Sequence, residues 1–144
     1  PFLNQQSLKA LIEVFKTDLN KEIHLASLMI PFSDKKEVEN PNNVKVIVDQ
    51  FDCALYFSRS PIPFYRDTEV PENYYKHIGV YAFRKEALLH FSSSEMTSLE
   101  QAEKIECIRY LEQGKKMKMV LTHKMAIGID TPEDLNKAQQ FLKN

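Results

Sequence analysis

Eight residues, Ile23-His24-Leu25-Ala26-Ser27-Leu28-Met29-Ile30, form a nearly continuous apolar run of strand length, closed by Pro31. A strand of that kind has no polar face to turn to water, so it must be covered on both sides. The flanking sequence supplies the cover. Leu8, Leu11, Ile12, Phe15 and Leu19 recur at spacings of three and four, which predicts an amphipathic helix over 4–19. Further strands are expected at 44–48 (VKVIV), 53–58 (CALYFS), 75–83 (YKHIGVYAF) and 116–122 (KMKMVLT), the first two joined by a short turn.

Between these lie the elements that cover them. The polar stretch 33–43 reads as a loop or a short exposed helix, and 61–71, with three prolines, is irregular. A short helix follows at 84–91, with Ser92-Ser93-Ser94 as a loop. Ser98 with Gln101 has capping-box spacing, and the helix it starts runs to Gln113, where Gly114 stops it. Thr131 caps a last helix with Pro132 at its first position. Helices alternate with strands, and hairpin-like strands make the sheet mixed, so the class is α/β. No linker divides residues 1–144, which form a single unit.

Composition excludes several functions. Nineteen basic residues against twenty acidic ones, with no clustered positive face, argue against nucleic acid as a partner. No window approaches the roughly 20 apolar residues that span a bilayer, so no membrane segment is expected. Cys53 and Cys107 belong to no CxxC pattern and fit a reducing cytoplasm as small buried hydrophobes. A doubly wound sheet normally opens with a strand and a phosphate-binding turn. This chain opens with a helix and has three glycines, Gly79, Gly114 and Gly128, none in a glycine-rich loop. A nucleotide-binding half is therefore expected to be missing, and the start at Pro1 without methionine fits a piece of a longer protein.

Five residues stand out chemically. Asp130 follows a small-residue turn and precedes a helix cap, a position suited to a metal ion that needs one or two protein carboxylates. The alternative is that Asp130, Glu133 and Asp134 complement the helix dipole, and Glu133 and Asp134 are so read. Arg59, flanked by Ser58 and Ser60 and locked by Pro61 and Pro63, offers a planar fork for a carboxylate or phosphate, or a structural salt bridge. His77 and Tyr81 share one face of their strand with Gly79 between them, leaving room for a ligand, though a hydrogen-bonded core histidine is the plainer reading. Glu106 falls among Leu99, Ala102 and Tyr110 on a helical wheel, and a carboxylate there must be paired, with Arg109, or hold a substrate. Glu103, at the edge of that sector, is the weaker candidate.

In order, "NVKVIVD", "ALYFSRSPIPFYRD", "YKHIGVYAFRKEAL", "SLEQAEKIECIRYLEQG" and "GIDTPEDL" resemble the 3-deoxy-manno-octulosonate (Kdo) cytidylyltransferases over essentially the whole chain. The stretches YFSR-x-PIP and H-x-G-x-Y discriminate most among the sugar-acid cytidylyltransferases. The resemblance implies part of a Rossmann-like nucleotide-diphospho-sugar transferase fold. It also implies a cytoplasmic, magnesium-dependent (Mg2+) homodimer that joins CTP and Kdo to give CMP-Kdo and pyrophosphate for lipopolysaccharide. Carried over by motif, Arg59 meets an acidic or polar group of the sugar, His77, Tyr81 and Glu106 line its hydroxyls, and Asp130 is a magnesium ligand. With the nucleotide half absent, the chain alone is expected to be inactive. Competing readings are a non-catalytic acid-sugar-binding or dimerisation module, and a cytidylyltransferase for another acid sugar such as sialate.

Overall fold

A computed structural model describes residues 4–123, together with 135–136 and 139–140. Asp130, Glu133, Asp134 and the Thr131 cap lie outside the described residues.

The apolar run becomes strand β1 (Ile23–Pro31), with Leu25 through Met29 buried. It sits inside a mixed sheet of five described strands, completed by β2 (Lys45–Val48), β3 (Ala54–Ser58), β4 (Tyr75–Phe83) and β5 (Lys116–Leu121), in the order β3-β2-β4-β1-β5. β1 runs antiparallel to β4 and parallel to β5, and β2 runs antiparallel to both β3 and β4.

Both faces of β1 are covered, as its composition requires. Helix α1 (Gln5–Thr17) lays Leu11, Val14 and Phe15 on Ala26 and Leu28. Its start is capped by Asn4, whose side chain accepts from the Gln6 N–H at 2.8 Å. Its end is held by Asp18, which accepts from the Ile23 N–H at 2.8 Å and pairs with Arg84 at 2.8 Å. Leu25 and Met29 face the other way, into a larger core with Phe57, Ile108, Tyr110, Met117 and Met119. That side is covered by α3 (Lys85–Ser93), α4 (Ser98–Glu103) and α5 (Ile108–Glu112). The polar stretch after β1 contributes the short helix α2 (Lys35–Glu39), capped by Asp34.

Two expectations are corrected here. The helix expected over 98–113 is two helices, separated at Lys104, which takes a left-handed conformation (φ 54°). The reason is burial: Ile105 and Cys107 are both in the core. On one continuous helix they would point about 200° apart, so a turn is needed to bring both inward. The capping residue is Thr97 and its partner Glu100, whose carboxylate accepts from the Thr97 N–H at 3.3 Å, one position earlier than the Ser98–Gln101 spacing. Helix α3 also continues through Ser92 and Ser93, expected as loop.

The stop at Gly114 is as expected. Its φ is 68°, its N–H bonds the Leu111 carbonyl at 2.9 Å, and the Lys115 N–H bonds the Tyr110 carbonyl at 3.0 Å. That pair of bonds is the Schellman closure, which favours glycine at the left-handed residue.

Candidate functional site

Ser27, the one hydroxyl in the apolar run, organises the middle of the sheet. Its partner strand carries two extra residues there, because Ser27 lies opposite Tyr81 while Leu28 lies opposite Ile78. Gly79 and Val80 form the bulge. The Ser27 hydroxyl lies 3.1 Å from the Ile78 carbonyl, 2.9 Å from that of Val80 and 2.9 Å from Nε2 of His77. A serine has one proton to give. Donated to a carbonyl, it leaves the oxygen as acceptor, so His77 Nε2 carries the proton and donates to Ser27.

The bulge also changes the distance between the two candidate side chains. Residues four apart on a regular strand are about 13 Å apart, whereas the His77 and Tyr81 rings have centroids 5.5 Å apart. The shared face expected from alternation is present, compressed by the bulge. Gly79 opens onto unfilled space, since a Cβ added there would meet no atom within 4 Å.

His77 is buried, with the Phe57 ring 4.8 Å away. Burial lowers its pKa to about 4, so the imidazole is neutral near pH 7. Tyr81 is 38 % exposed and forms the outer member of the pair. Burial first, then the charge of the neighbouring Cys107 and its hydrogen bond, pushes its phenol well above the ordinary tyrosine range, so it remains protonated. Burial likewise pushes the Cys107 thiol to about 12.

Tyr81, Glu106 and Cys107 form one wall of a cavity of about 260 Å³, and Leu25, Phe83, Leu88 and Phe91 form the rest. Glu106 reaches this wall from the turn between α4 and α5. The turn overturns the wheel placement: Glu106 is exposed, as is Ala102, and Leu99 is 41 % exposed. The buried carboxylate of this region is Glu100, 2 % exposed. Arg109 pairs with Glu100 and not with Glu106, through Nε–H to Oε2 at 2.7 Å and an outer N–H to Oε1 at 2.6 Å. Sequence spacing missed this pair because Glu100 and Arg109 are nine residues apart and meet only after the chain turns at Lys104.

Arg59 is not among the residues lining the cavity. Its guanidinium donates to the carbonyls of Glu103 at 2.7 Å, Pro41 at 2.9 Å and Lys104 at 3.3 Å. The contacts are to carbonyls, so the structural alternative takes this form instead of a salt bridge. Glu103, the weaker candidate, completes the clamp: it accepts from the Ser58 hydroxyl at 2.7 Å and the Arg59 N–H at 2.8 Å. Beneath them Lys45, fully buried in β2, donates to the carbonyls of Asn43 at 2.7 Å, Asn40 at 3.2 Å and Arg59. Burial, then the charge of Arg59, lowers the Lys45 pKa. Nothing in VKVIV marked Lys45 as a core residue.

Chemically, the wall combines a protonated phenol, a neutral thiol and one carboxylate with aromatic faces, and none of its lining residues is cationic. Nearly all of the surface open to the cavity is apolar, so it suits the C–H face of a ring, with the phenol and the carboxylate as its polar members. Among the described residues no group of three or more His, Cys, Asp or Glu side chains is placed to hold a metal ion. Among them, too, no helix is long and apolar enough to cross a membrane.

Known proteins share this arrangement of elements. A solved CMP:2-keto-3-deoxy-manno-octonic acid synthetase, complexed with CTP, superimposes with a TM-score of 0.90 at 31% identity, covering 99% of this chain and 58% of that one. The 3-deoxy-manno-octulosonate cytidylyltransferase of Christiangramia forsetii is 57% identical over 99% of this chain and 57% of its own length. That of Flavobacterium johnsoniae is 53% identical over 100% of this chain and 59% of its own length. The chain thus spans about three-fifths of the length of the relatives it matches. The family model described as cytidylyltransferase matches residues 1–117, and the chain belongs to that family.

Proposed function

We propose that the full-length protein transfers CMP from CTP to Kdo, releasing pyrophosphate, and that this chain supplies the wall that holds the sugar. The observation that carries the reading is the cavity wall of Tyr81, Glu106 and Cys107, backed by the buried His77. Relatives at 57% and 53% identity named for this reaction support it, as does the likeness to a synthetase complexed with CTP. The enzyme is further proposed to be a cytoplasmic homodimer that forms CMP-Kdo for lipopolysaccharide.

In this reading the sugar's anomeric hydroxyl attacks the α-phosphorus of CTP and pyrophosphate leaves in line. Catalysis of such a step is mostly positioning and electrostatics. Tyr81, held protonated by burial, exchanges hydrogen bonds with sugar hydroxyls, and Glu106 accepts from them. Phe83, Phe91 and Leu88 exclude water that would otherwise compete as nucleophile. His77 stays neutral and sets the tilt of the Tyr81 ring. Arg59, committed to three carbonyls, holds the end of β3 to the end of α4 and so anchors the α4 end of the turn that carries Glu106.

Asp130 is proposed to give one oxygen to magnesium, consistent with an ion that takes few protein carboxylates. When bound, magnesium would neutralise charge on the triphosphate.

The test is pyrophosphate release by the full-length protein given CTP with Kdo, and given CTP with N-acetylneuraminate. Release with Kdo alone, and none from residues 1–144 by themselves, supports the reading. Equal release with both sugars, or none with Kdo, contradicts it. Asp130→Asn should lose most turnover and require more magnesium, whereas unchanged turnover would remove Asp130 from the metal site.

A further inference from the structure

We infer that Arg109 is a positioning residue for the sugar wall, acting through the Glu106–Cys107 turn; the inference rests on the proposed function. The cavity has two walls from outside the sheet. One belongs to α3, with Leu88 and Phe91, and the other to the turn, with Glu106 and Cys107. Arg109 stands two residues beyond Cys107, at the start of α5, and its side chain fastens that start to α3 and to α4.

Toward α3, one outer N–H donates to the Ser94 carbonyl at 2.7 Å and reaches that of Phe91 at 3.3 Å, and the guanidinium lies 4.6 Å from the centre of the Phe91 ring. The turn is tied to it through the chain itself: the Arg109 backbone N–H donates to the Glu106 carbonyl at 3.2 Å, so what holds the start of α5 also holds the turn. The remaining side-chain bonds of Arg109 go to both oxygens of Glu100, at the start of α4. A planar fork with several fixed donors is what this arrangement needs. Lysine keeps the charge and cannot reproduce the geometry. The hydrogen bonds to Arg109 are the leading cause holding the Glu100 carboxyl below its usual range, so the pair is ionised at neutral pH and the clamp is closed.

The other end of the turn is held separately, where Glu103 at the end of α4 bonds Ser58 at the end of β3 and Arg59 just beyond it. Loosening Arg109 therefore leaves the end of α4 anchored beside β3 and frees the start of α5, and with it the Cys107 end of the turn. Such a loosening should weaken sugar binding and leave the nucleotide side alone.

The experiment uses the full-length protein and compares Arg109→Lys, Glu106→Gln and the double variant by KM for Kdo, KM for CTP and kcat. Arg109→Lys should raise the Kdo KM about tenfold with the CTP KM within twofold. In the Glu106→Gln background the same change should add less than threefold, because residues acting through one another are non-additive. Full additivity, or equal rises in both KM values, would show a general structural role and overturn the inference. An unchanged Kdo KM in Glu106→Gln alone would remove the sugar wall itself, and the inference with it. Where Arg109→Lys does not fold, Glu100→Gln, which keeps one acceptor for Arg109, takes its place: a rise confined to the Kdo KM supports the inference, and equal rises in both KM values overturn it.

Discussion

Replacing His77 with phenylalanine should flatten the response of the fold to mild acid. The imidazole is buried, packed against the Phe57 and Tyr81 rings, and its pKa is lowered to about 4 by burial. In the unfolded chain the same group titrates near 6.5. As the pH falls between these values the unfolded chain binds a proton that the folded chain refuses. The stability involved is complete above 6.5 and drains as the pH falls toward about 4. Linkage puts the loss at about 2 kcal/mol between pH 7 and pH 5, and about 3 kcal/mol by pH 4. Phenylalanine fits the aromatic stack, and the Ser27 hydroxyl keeps the Ile78 and Val80 carbonyls as acceptors. Urea unfolding of wild type and His77→Phe at pH 7 and pH 5 measures the difference directly. The variant should lose about 2 kcal/mol less than wild type over that interval. Equal losses in both proteins would refute the buried neutral imidazole and the tautomer built on it.

Glu103→Gln should cost about 2 kcal/mol in urea unfolding, because the Ser58 hydroxyl and the Arg59 N–H each exchange a charged acceptor for a neutral one. Glu100→Gln should flatten the acid limb below pH 4.5, since the ionised pair with Arg109 contributes above that value and is lost as the carboxyl protonates at lower pH. Cys107, buried with a thiol near 12, should resist iodoacetamide at pH 8 in the folded chain and react once urea unfolds it, as peptide mapping would record.

Much of the fold was legible because its signals are local. The three-and-four spacing of Leu8, Leu11, Ile12 and Phe15 marked α1, and the apolar run closed by Pro31 marked β1 to within one residue of its end. Gly114 ended α5 where a left-handed residue was needed. The features that went unread are set by contacts distant in sequence. The bulge at Gly79 and Val80 depends on which β1 residue Tyr81 faces, and no local pattern records that. The break at Lys104 lacks a glycine, and only the joint burial of Ile105 and Cys107 demands it. Without that break Glu106 looked buried and Glu100 looked unremarkable, whereas their roles are the reverse. Arg59 stood out by its serine and proline neighbours. Its partners could not be foreseen, because backbone carbonyls of Pro41, Glu103 and Lys104 leave no trace in side-chain identity. Lys45 shows the same limit, as a charged residue buried where only loop carbonyls receive it.

The central claim, that this chain holds the sugar, meets its most direct test in Tyr81→Phe of the full-length protein. That change removes one oxygen from the cavity wall and leaves the ring beside His77. Steady-state pyrophosphate release should show the KM for Kdo raised about tenfold, the cost of one lost hydrogen bond of about 1.4 kcal/mol, with the KM for CTP within twofold. An unchanged KM for Kdo, or a rise confined to CTP, would contradict it.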